Sequence, residues 1–149
     1  MSFKDKILNN ESPWGSPPGG GGRSAPGGNG SGSANNQIYK PSAIVLDVSG
    51  NMYIAELYNH RISKWEPNAT EGITVAGGNG KGDLANQLYY PRGIAIDSFG
   101  NLYIADTDND RIQKWEPNAT AGSTVAGGNG TTDICSNLSQ LLNPLKSQT

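Results

Sequence analysis

Histidine and cysteine are nearly missing from this chain. His60 and Cys135 are the sole representatives of their types among 149 residues. A lone cysteine excludes an intramolecular disulfide and any cysteine-based zinc site. A nucleophile–histidine–acid arrangement would have to centre on His60, and no serine near it in sequence stands out as its partner. Long apolar runs are missing as well. No stretch approaches the roughly 18 residues of a membrane-spanning helix, and Lys4 and Lys6 precede Ile7-Leu8 without the apolar region of a secretory signal. The cytoplasm is therefore the default compartment. Excess charge of one sign is missing too. Eleven Lys and Arg against 13 Asp and Glu leave a formal charge of −2. That balance lacks the basic patch or stripe of a nucleic-acid binder and argues equally against an acidic-membrane binder.

Glycine is abundant, at 21 residues, with nine prolines. Residues 9–36 are dominated by Gly, Pro, Ser and Asn around Pro17-Pro18-Gly19-Gly20-Gly21-Gly22. Such a stretch buries too little apolar surface to offset its ordering entropy, so residues 1–36 read as a disordered tail.

The rest repeats. Pro41 recurs as Pro91, fifty residues on, Asp47 as Asp97, Gly50-Asn51 as Gly100-Asn101, and Trp65-Glu66-Pro67-Asn68-Ala69-Thr70 as 115–120. Gly27-Gly28-Asn29-Gly30 returns at 77–80 and 127–130. A fixed period of this length marks a repeat architecture. Each copy holds four short apolar bursts: Ala43-Ile44-Val45-Leu46, Met52-Tyr53-Ile54-Ala55, Arg61-Ile62-Ser63-Lys64-Trp65 and Ile73-Thr74-Val75-Ala76 in the first. They are strand-length, rich in β-branched and aromatic residues, and lack helical spacing. The first two are apolar on both faces, as in strands between neighbouring sheets. The third alternates, Ile62 and Lys64 opposing Arg61, Ser63 and Trp65, which predicts a strand near a wet sheet edge. Residues 47–51 form a short hairpin loop with Gly50 where φ > 0 is expected. Four short antiparallel strands per repeat of about 40–50 residues describe a propeller blade.

These residues resemble the NHL repeat. The signature is Pro91-Arg92-Gly93-Ile94-Ala95-Ile96-Asp97, Gly100-Asn101-Leu102-Tyr103-Ile104-Ala105-Asp106 and Asn109-Asp110-Arg111-Ile112, with its first copy at Asp47, Gly50–Glu56 and Asn59-His60-Arg61-Ile62. The resemblance covers residues 38–130. It implies an all-β chain of two four-stranded antiparallel propeller blades, residues 37–80 and 81–130, with a partial third at 131–149, where Asn137, Leu138, Gln140, Leu141, Leu142 and Pro144 echo the start of a blade. Propellers of that family are usually six-bladed, so the chain reads as an incomplete propeller: a fragment, or a piece that self-associates. Asp110 departs from the family's histidine. At the N-terminus, Asn9-Asn10-Glu11-Ser12-Pro13-Trp14-Gly15 and the glycines after it are similar to the tail of HflK-type regulators of the FtsH membrane protease.

Candidate chemistry meets missing parts. Asp106-Thr107-Asp108-Asn109-Asp110 spaces three carboxylates like the opening of a Ca²⁺ loop, but Arg111 and Pro117 stand where Gly and Glu are needed. Gly77-Gly78-Asn79-Gly80-Lys81-Gly82 lacks the Ser or Thr after Lys, and the earlier Gly, of a phosphate loop. It reads as a connector between blades. His60 reads as an exposed loop residue, and Trp65 and Trp115 as packing between blades. The Asn68 and Asn118 sequons, like those at Asn10 and Asn137, read as turn chemistry. Arg61 and Arg111 are positioned to pair with Glu56 and Asp106. No catalytic, cofactor or metal residue is therefore expected. The expectation is a non-enzymatic module binding a protein partner. The alternatives are a fragment of a propeller hydrolase or lactonase, and a truncated HflK-like regulator.

Overall fold

The computed structural model describes residues 28–128. The expected tail before Gly28, its HflK-like segment, and the partial repeat at 131–149 lie outside these residues.

The described chain is two sheets, each a simple antiparallel meander. Strands β1 (Pro41–Leu46), β2 (Met52–Glu56), β3 (Arg61–Trp65) and β4 (Ile73–Gly77) pair in sequence order, and β5 (Pro91–Ile96), β6 (Leu102–Asp106), β7 (Arg111–Trp115) and β8 (Ser123–Gly127) do the same. The bursts read from the sequence are these strands, to within two residues at each end. Register repeats as well: it shifts between Pro41 and Ala43 and between Ile62 and Ser63, and again between Pro91 and Gly93 and between Ile112 and Gln113. A 3₁₀ turn, Thr107–Asn109, bridges β6 and β7. Among the described residues no helix is long and apolar enough to cross a membrane.

The hairpin between β1 and β2 is held by Asp47. Its carboxylate accepts the backbone N–H groups of Ser49 and Asn51, both at 2.9 Å, the Asn51 amide at 2.8 Å and the Tyr53 hydroxyl at 3.3 Å. Asp97 accepts the same set from Phe99, Asn101 and Tyr103. Gly50 and Gly100 have φ of 83° and 84°, as their turns require.

One apolar cluster joins the two sheets. Ala55, Ile62, Ala76 and Leu88 pack with Leu102, Ile104 and Trp115, and Ile94 and Ile96 of β5 pack onto them. Strand β1 lies beside β5, and the Ser42 hydroxyl donates to the Pro91 carbonyl at 2.8 Å.

The third strand departs from its expected place. β3 and β7 are interior strands, with Arg61, Ile62, Ser63 and Trp65 all buried. Alternation there does not mark a wet face, because the polar residues carry buried partners. Ser63 Oγ accepts the Trp65 indole N–H at 3.1 Å. In the second sheet Gln113 takes the serine's position and its Oε1 faces Thr124, so Trp115 Nε1 is buried without a partner. Each indole lies against the glycine that follows its own turn, Gly72 or Gly122, and Trp115 belongs to the shared cluster, against which Ala119 of its own turn also packs.

Candidate functional site

The charged residues singled out in the sequence assemble at one end of each sheet, into a clamp. Arg61 Nε donates to Glu56 Oε1 at 3.1 Å. Its Nη1 donates to the Ser33 carbonyl at 2.9 Å, and its Nη2 to those of Ala34 and Gln37 at 3.3 and 3.2 Å. Asn59 donates to the other Glu56 oxygen and to the Gly32 carbonyl. The second repeat rebuilds this with a shorter acid. Arg111 Nε donates to Asp106 Oδ2 at 2.7 Å, and its Nη groups to the carbonyls of Asp83, Leu84 and Gln87 at 2.7–3.1 Å. Asn109 donates to Asp106 Oδ2 and the Gly82 carbonyl, both at 2.8 Å, and the Tyr89 backbone N–H to Asp106 Oδ1 at 2.6 Å.

Each clamp therefore ties the segment entering a sheet to that sheet's third strand. Residues 28–36 were expected in the tail. Instead their carbonyls are anchored by Arg61 and Asn59, and the Asn35 carbonyl accepts the Gly72 N–H at 2.8 Å. Glycine content suggested disorder there. The signal that points the other way is that residues 28–40 align with 78–90 at the same period.

The acidic loop divides. Asp106 is fully buried and its oxygens are taken by Arg111, Asn109 and Tyr89. Asp108 and Asp110 are exposed. Among the described residues no group of three or more His, Cys, Asp or Glu is placed to hold a metal ion. The Gly77–Gly80 run leaves β4 and leads to the second sheet, with Gly77, Gly78 and Gly80 all at positive φ. Asn68 and Asn118 also adopt positive φ, 65° and 63°, in their turns.

His60 is not the exposed loop residue expected. It is half-buried at the seam between the sheets, and its Nδ1 accepts the Tyr90 N–H at 3.2 Å. Its ring lies 4.8 Å from that of Tyr90 and 5.7 Å from that of Tyr89. Burial pushes the imidazole below its ordinary pKa, and Lys81 adds to this, against Asp106 and Asp108. The rings continue outward. Tyr90 meets Tyr58 at 5.6 Å, Tyr58 meets Tyr39 at 5.1 Å, and Lys81 sits 5.6 Å over Tyr89. Tyr39 and Tyr58 are 37% and 42% exposed. Sequence reasoning missed this ribbon, because its members come from three loops and only Tyr39 and Tyr89 share the repeat spacing.

At the hairpin tips a second feature forms. Leu46, Asp47 and Val48 face Ile96, Asp97, Ser98 and Phe99 across a hollow of about 360 Å³. Burial opposes ionisation of Asp47, but the hydrogen bonds from Asn51, Ser49 and Tyr53 outweigh it and hold the carboxyl below its usual pKa. The Asn101 side chain, with further donors, does the same for Asp97. Burial, with the Asp47 charge beside it, pushes the Tyr53 hydroxyl up to about 12.

The family model of the NHL repeat matches residues 88–115. This span runs from the entry segment of the second sheet to the end of β7 and contains most of its clamp. A search of curated proteins returns no match.

Proposed function

We propose that the chain is a non-enzymatic, propeller-type interaction module that binds a protein partner through the loops at the clamped ends of its blades. One observation carries this reading. The charged residues of the repeat signature are occupied internally: Glu56, Arg61 and Asp106 are buried and Arg111 half-buried, and each acid–arginine pair is bonded together while the arginines also hold loop carbonyls. They hold loops in place, and what those loops offer to solvent is the ribbon of tyrosine rings. Tyrosine supplies large, amphipathic contact area at small entropic cost, and it is enriched where proteins meet. A rigid sheet scaffold presenting fixed loops suits recognition. The NHL match to residues 88–115 supports the same reading.

Selection of a displayed peptide library against the chain tests this. Bound peptides are expected to lose affinity at least tenfold on Tyr39→Ser or Tyr58→Ser, and to retain it on Val48→Ser at the far hairpin tip. Undiminished binding to both tyrosine variants would contradict the reading.

A further inference from the structure

The two sheets stack through one kind of contact, and among the described residues each carries a half of it that no other sheet covers. The entering face of the second sheet carries Ile94 and Ile96, packed against the cluster in which Ala55, Ile62 and Ala76 meet Leu102, Ile104 and Trp115. The same positions in the first sheet, Ile44 and Leu46, are 60% and 39% exposed. On the leaving side, Ala76 is 2% exposed, whereas its counterpart Ala126 is exposed and Val125 is 50% exposed. Ile44, Leu46, Val125 and Ala126 are thus more open than their counterparts fifty residues away, while Ile54 and Trp65 are as buried as Ile104 and Trp115.

The polar seam sharpens the match. Between the sheets, Tyr90 is gripped by His60 and Tyr58. The position equivalent to Tyr90 is Lys40, and those equivalent to His60 and Tyr58 are Asp110 and Asp108. Lys40 and Asp110 share the left-handed backbone of Tyr90 and His60, with φ of 51° and 50° against 49° and 50°. Lys40, Asp108 and Asp110 are all exposed. Stacking a further first sheet onto the second would therefore bring one cation to two carboxylates, where the seam within the chain brings tyrosine to histidine and tyrosine. The substitutions that distinguish the repeats are complementary across the unused faces.

We propose that a second copy of this chain stacks its first sheet, by Ile44, Leu46 and Lys40, onto the second sheet of its neighbour, at Val125, Ala126, Asp108 and Asp110. The contact is heterologous, head to tail, and repeating it gives a ring where the blade-to-blade rotation closes and an open filament where it does not. The tyrosine ribbon of the interaction-module reading is not required, so either idea stands or falls alone.

Sedimentation of the full 149-residue chain across a hundredfold range of concentration tests it. Wild type is expected to associate reversibly, more weakly in 1 M salt than in 0.05 M because the screening length shortens about four- to fivefold. Lys40→Glu and Ile44→Asp, both at exposed positions, should each lose association while keeping the wild-type circular dichroism. Lys40→Glu combined with Asp108→Lys and Asp110→Lys should regain it. An equimolar mixture of Ile44→Asp and Ala126→Glu chains, each with one intact face, should give heterodimers and nothing larger. A wild type that stays monomeric overturns the proposal. So does association that survives Ile44→Asp, a charge swap that restores nothing, or a mixture that stays monomeric.

Discussion

The Arg61 guanidinium directs all its nitrogens to protein acceptors, and Arg111 does the same fifty residues later. Lysine lacks that planar fork. Arg111→Met leaves Asp106 buried and uncompensated, which costs about 3–5 kcal/mol, and adding Asp106→Leu should recover part of it. Denaturant unfolding checks both. The two tryptophans provide an internal comparison. Trp65→Phe removes a hydrogen bond to Ser63, whereas Trp115→Phe removes a donor that has none. Trp65→Phe should therefore be the more costly by about 1–3 kcal/mol; equal losses would contradict the bonding described. His60 sets a pH dependence. Its Nδ1 accepts a hydrogen bond and its folded pKa lies below the ordinary 6.5. Stability is complete above that value and falls as pH drops below it, since protonation is easier in the unfolded chain. Thermal melts at pH 7.5 and 5 should show this fall, and His60→Asn, whose residue tolerates the left-handed backbone, should reduce it. The arginine–acid pairs were legible from the sequence because both copies show them. The seam role of His60 was not, since it depends on Tyr90, which lies on the other repeat.

At the scale of elements, the turn chemistry is what fixes the sheets. Gly77 ends β4 with φ of 67°, and a Cβ there would meet the His60 carbonyl oxygen at 2.4 Å. Gly80, at φ of 78°, has open space around it. Gly77→Ala should thus cost more than the roughly 1–2 kcal/mol of left-handed strain that Gly80→Ala incurs, as read from the shift in melting temperature. The strands themselves were readable because apolar bursts and turn residues repeat together. Two things were not. Alternation placed β3 at a wet edge, although its polar residues are buried with partners. Glycine-rich composition placed residues 28–36 in a tail, although Arg61 and Asn59 anchor them. In both cases long-range hydrogen bonds override the local signal, and no local window of sequence contains them.

At the scale of the molecule, two equivalent blades share one apolar cluster and hold their loops with arginine–acid clamps. Burial of Ile62, Leu88, Ile104 and Trp115 in a single cluster implies that the blades unfold together. Native-state hydrogen exchange of the full chain tests this most directly. The slowest amides should form two matched sets fifty residues apart, centred on Ile54, Ala55 and Ile62 and on Ile104, Ala105 and Ile112, and should share one opening free energy. Protection confined to one set, or two sets with widely separated opening free energies, would contradict the account.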